Sequence, residues 1–168
     1  MLTIEFLIYQ RDGQELSEET IKAMQLTYEE LFCQPGGCEG AIQISTDGNL
    51  SNLLEDVLAA LVKNLCFEAN RELHETGRGI YYFHSYSAQV LLSLDDQMVK
   101  MEGDVVATSF YEFNEFAEGL YNCGRRFIEL LRKIKAANEK NEKDRLALIQ
   151  ILETAKQEMD NQPPYKTR

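Results

Sequence analysis

Cys33 and Cys38, spaced Cys-Gln-Pro-Gly-Gly-Cys, are the pair best suited to chemistry by type and spacing, since they can close a disulfide or supply half of a metal site. No second ligand pair with zinc spacing accompanies them, and neither histidine, His74 or His84, supplies one. Two reduced loop cysteines is the simpler reading. Cys66 and Cys123 fall inside helical apolar stripes and read as small core residues. His84 with Ser85 or Ser87 invites a hydrolytic triad, but alternation puts His84 and Ser85 on opposite strand faces, and no Gly-x-Ser-x-Gly surrounds either serine. The glycine-rich run from Cys33 to Gly40 lacks the Gly-Lys-Ser/Thr of a phosphate loop and leads into a strand, where no helix amides can hold an anion. His74 near a helix C-terminus suits the dipole, and Arg125-Arg126 ahead of Glu129 suits a surface ion pair. The sequence therefore predicts no catalytic residue, no cofactor and no metal.

Acidic side chains are the more informative group. The 168 residues carry a net charge of −11, unevenly spread: 21 acids face 6 bases up to Gly124, and 7 acids face 11 bases from Arg125 onward. Nucleic-acid binding needs clustered Lys and Arg to neutralise phosphates, so an acidic body argues against it and favours a basic protein partner or plain solubility. The first ten residues lack the basic segment, apolar run and cleavage site of a signal peptide, and no apolar run approaches the roughly 20 residues of a membrane span. A cytoplasmic protein, without membrane or nucleic-acid partners, is the expectation.

The elements that must position these residues centre on 80–110. Val90, Leu92 and Leu94 alternate, Asp95-Asp96 interrupts, Val99 and Met101 resume, and Gly103-Asp104 punctuates before Val105 to Thr108. With Tyr81, Tyr82, Phe83 and Tyr86 upstream, four short strands follow, antiparallel because their links are too short for a crossover. Residues 2–9 alternate as an opening strand ending at Asp12-Gly13, and Ile42 and Ile44 mark another in 41–46. A helix is expected over 17–32 behind a Ser17 cap, with a strand over its second half as the alternative. Two long amphipathic helices are expected: one from Leu50 to Glu75, capped by Asn49 or Ser51, and one opening on a Ser109 to Glu112 capping box and running to Ile134. Gly124, costing about 1 kcal/mol against Ala inside a helix, implies a close crossing with the first of them. Through the polar run 135–144 the helix either continues as an exposed rod or turns near 138–141 and folds back, the turn being the preferred reading, before a further apolar stripe through Met159.

The order of acidic strand-rich start, long helix, aromatic strand meander and a helix carrying Cys123-Gly124-Arg125-Arg126-Phe127 resembles small acidic bacterial immunity proteins that neutralise polymorphic or contact-dependent toxins. The likeness covers residues 41–134, and no functional residues carry across. It implies a non-enzymatic inhibitor whose acidic face caps a basic toxin domain. The fold class expected is α+β: an antiparallel sheet of about five to six strands packed by two long helices, with a C-terminal helix. Residues 1–137 would form one domain, 138–162 a helical arm and 163–168 a flexible tail. Occlusion of a basic partner would rest on Asp95, Asp96, Glu102 and Asp104. The rival readings are a small-molecule or catalytic pocket beneath Tyr81, Tyr82, His84 and Tyr86, and a self-assembling subunit joined as a homodimer through residues 142–160.

Overall fold

The computed structural model describes residues 1–33 and 37–162. Pro35 and Gly36 of the glycine-rich loop, and the tail 163–168, lie outside the described residues. The fold is α+β, with two antiparallel sheets of four strands each, one built from residues 2–57 and one from residues 78–112.

In the first sheet β1 (Leu2–Tyr9) pairs on one side with β3 (Glu39–Thr46) along most of its length, and on the other with β2 (Glu15–Ser17) only from Leu7 to Tyr9. Alternation buries Ile4, Phe6 and Ile8, as the opening strand requires. The helix expected over 17–32 is two: α1 (Glu18–Met24) and α2 (Tyr28–Phe32). Gln25 turns left-handed at φ 52°, and a capping box between Thr27 and Glu30 starts the second helix independently.

The largest correction concerns residues 50–75. Asp47 and Gly48, both at positive φ, form a tight turn, and β4 (Asn49–Val57) returns against β3, so neither Asn49 nor Ser51 caps a helix. Helix occupies 58–76 instead, as α3 (Leu58–Ala60), a π-helical segment (Leu61–Ala69) and α4 (Asn70–Thr76), closed by Gly77 in the left-handed region. Buried Asn70 donates to the carbonyls of Cys66 and Ala117, which ties this helix to its neighbour.

The second sheet is the expected meander: β5 (Arg78–Tyr82), β6 (Gln89–Asp95), β7 (Met98–Gly103) and β8 (Val106–Glu112). Strand β8 runs through Ser109, so the expected capping box does not form. Glu112 itself caps α5 (Phe113–Lys133), accepting from the Glu115 amide at 2.7 Å. Asn52 joins the sheets like a strand residue turned sideways: its amide donates to the Ala107 carbonyl at 3.2 Å and accepts from the Ala107 N–H at 3.0 Å.

Helix α6 (Glu139–Asp160), capped by Asn138, follows the expected turn. It folds back and buries Leu152, Ala155 and Met159, so residues 138–162 form no protruding arm. One continuous core runs from Ile4 to Met159.

Candidate functional site

Strand alternation in β5 to β8 sends Tyr81, Val90, Leu92, Val99, Met101 and Tyr111 into the core, and therefore sends their neighbours outward. Register aligns Ile80 with Leu91 and Glu102, and Ser93 with Lys100 and Phe110. The outer face carries large apolar side chains in water: Tyr82 is 66% exposed, Phe110 61%, Met98 42% and Ile80 39%. In that register they are interleaved with Ser93, Lys100 and Glu102, so the face mixes apolar and charged side chains.

All four acids expected to bind a partner lie on this sheet. Asp95 ends β6 and Asp96 takes the left-handed turn position at φ 54°, while Glu102 and Asp104 stand at the opposite end of β7. At strand rise the two ends are about 17 Å apart, so the acids rim the patch from two sides. Glu102 shares its carboxylate with Lys100 at 2.6 Å.

The aromatic loop 83–88 is held by a residue that sequence reasoning passed over. Asp56, buried on β4, accepts from the Tyr81 hydroxyl at 2.6 Å, the His84 amide at 2.5 Å, the Ser85 amide at 2.9 Å, the Ser85 hydroxyl at 2.7 Å and the Val57 amide at 2.8 Å. Burial pushes its carboxyl upward, but these donors outweigh that and hold it below the ordinary range. Burial and then Asp56 push the Tyr81 hydroxyl far upward, so it stays protonated. A carboxylate with five donors is saturated: it positions the loop and has no lone pair to spare for chemistry. The Ser85 hydroxyl is spent on it, and the His84 ring is exposed. The period-two pattern Asn52, Leu54, Asp56 could have revealed this inward acid, had 50–57 been read as a strand.

The proposed aromatic pocket is divided. Tyr81 lies in the core, whereas Tyr82, Phe83 and Tyr86 line an open depression of about 360 Å³ with Asp104. All four cysteines are free thiols; Cys33 is exposed, while burial, with Glu39 beside it, pushes buried Cys38 up to about 12. No group of three or more His, Cys, Asp or Glu among the described residues is placed to hold a metal ion. Nor is any described helix long and apolar enough to cross a membrane. Comparison with protein-family models, with curated proteins and with solved structures gives no match to this chain.

Proposed function

We propose that the chain is a non-enzymatic protein-binding module that engages a basic partner through the outer face of β5 to β8. The observation that carries this reading is the set of exposed apolar side chains, Tyr82, Phe110, Met98 and Ile80, between the acidic ends of β7. Aromatic anchors on a flat face supply burial, and Asp95, Asp96, Glu102 and Asp104 supply attraction and orientation. The net charge of −11 favours encounter with a basic surface over an acidic one. In the role that resemblance to immunity proteins suggests, the face would cover the active surface of a basic toxin domain. The self-assembly reading keeps only part of its motive, because Leu152, Ala155 and Met159 of α6 are buried on its own body while Leu146 and Ile151 stay exposed.

Affinity capture on immobilised protein tests the proposal. Wild type should retain a basic protein that elutes with salt, and the Tyr82→Ser/Phe110→Ser double variant should lose it by at least tenfold. Equal recovery on both, or recovery of nucleic acid alone, overturns the reading.

A further inference from the structure

Acids outnumber bases 28 to 17 in this chain, and its surface depressions reflect that excess with one exception. The groove beside β1 carries Glu5, Glu18 and Glu19, and the aromatic depression carries Asp104. Two others carry Asp12 with Glu30 and Glu39 with Glu55. The exception is a depression of about 540 Å³ between the end of α1 and the end of α5, lined by Lys22, Lys133 and Lys135 and by no carboxylate. Its volume lies within the roughly 300–1,000 Å³ of small-molecule sites.

Helix α1 stops where Gln25 turns left-handed, and α5 stops where Ile134 becomes extended at ψ 152°. The Tyr28 amide donates to the Lys135 carbonyl at 2.8 Å, so backbone bonding joins the two walls at one end. Ile21, Leu130 and Ile134 close the base, and Leu26 stands half-buried at the side. Lys22 bonds Glu18 on its own helix at 2.8 Å and so spans no wall. Lys133 and Lys135 are exposed and have no ion-pair partner among the described residues. Two unpaired ammonium groups therefore border a concave, partly apolar base, and the Gln25 side chain adds a neutral donor to the rim.

We infer that this depression binds a small monocarboxylate with an apolar body, its carboxylate held between Lys133 and Lys135 and its body laid along Leu26 and the methylene stems of the lysines. Charge selects the anion, because a net charge of −11 repels anions from the surface at large and no acid opposes them here. The apolar body follows from the lining, since a bare inorganic ion gains nothing from Leu26 or from the lysine stems. The site uses no residue of the outer face of β5 to β8, so it stands or falls apart from the basic-partner reading.

Titration of octanoate into the full chain, followed by two-dimensional amide NMR, tests the inference. Saturable shifts should gather in residues 21–27 and 130–135. Acetate and inorganic phosphate, which lack the body, and 1-octanol, which lacks the charge, should each bind at least fivefold more weakly. Lys133→Gln/Lys135→Gln, changed only at exposed positions, should weaken octanoate at least fivefold, whereas Lys22→Gln should cost less because Glu18 already engages that ammonium. The inference fails if the octanoate shifts lie elsewhere or do not saturate, or if the double variant binds octanoate as wild type does. Binding of 1-octanol or phosphate as tight as that of octanoate overturns it too.

Discussion

At the scale of single residues, buried polar groups decide more than the surface acids that dominate the composition. Asp56 is the clearest case. Because its folded-state carboxyl sits below its ordinary value of about 3.9, the unfolded chain binds more protons through that range, so stability is present above it and lost as pH falls. Urea unfolding between about pH 3 and 7 should show an acid limb that Asp56→Ala flattens, with a loss of about 3 kcal/mol at neutral pH. The same variant should raise amide exchange in 83–88, which Asp56 tethers. Gly124 offers a second test. A Cβ there would sit 2.6 Å from the ring of Phe67, which is fully buried and cannot yield. Gly124→Ala gains about 1 kcal/mol of helix propensity, but overpacking costs about 1–3 kcal/mol, so a net loss of about 1 kcal/mol is expected in denaturant melts. Gly119→Ala brings a Cβ to 2.9 Å from Cδ1 and 3.1 Å from Cγ1 of buried Ile4, a milder clash than at Gly124, so its loss should be the smaller of the two. The close crossing at Gly124 was legible because an interior glycine has few other reasons to exist. Asp56 was hidden because its neighbours Leu53, Leu54 and Val57 also fit a helical stripe.

Among elements, the ends of helices show how local chemistry overrides periodicity. Leu50 to Leu73 satisfies a helical pattern throughout, yet an Asp-Gly turn and a ladder to β3 claim its first third. The apolar count could not separate the two, since Leu54 is inward in either geometry. Thr27 and Glu30 similarly break a stripe that Ile21, Tyr28 and Leu31 would support unbroken. Helix α6 carries its own test. Leu152 and Met159 are fully buried against α5 and the π-helical segment, and Arg132 reaches Glu153 while Arg71 reaches Glu158. Leu152→Ala should cost about 3 kcal/mol in thermal or urea unfolding, with no change in solution mass. A drop in mass on substitution would show instead that α6 holds copies together.

For the whole molecule, the charge that is split along the chain is mixed in space. Acids up to Gly124 lie on helices, such as Glu18 and Glu19 of α1, as well as on strands, and α6 itself carries six acids against four bases, with pairs such as Arg126 and Glu18 bridging the two halves of the chain. The net charge of −11 attracts a basic partner without itself selecting a face. Partner capture should therefore weaken as salt rises from about 50 to 300 mM, since exposed charges are screened beyond a Debye length of roughly 8 Å at physiological strength. Capture insensitive to salt would place the energy in the apolar patch alone.

What the amino-acid order settled by itself is whatever depends on near neighbours: the alternation of β1, the four-strand meander, the turn at Asn138 and the α+β class. Only tertiary structure decided the division into two sheets, because a strand's partner is chosen by long-range pairing that local pattern does not encode. It also decided the return of α6 onto the core and the convergence of Tyr81, His84 and Ser85 on Asp56, contacts between residues about 25 or more positions apart. Periodicity names the face a side chain takes; burial against a distant element determines what that face meets.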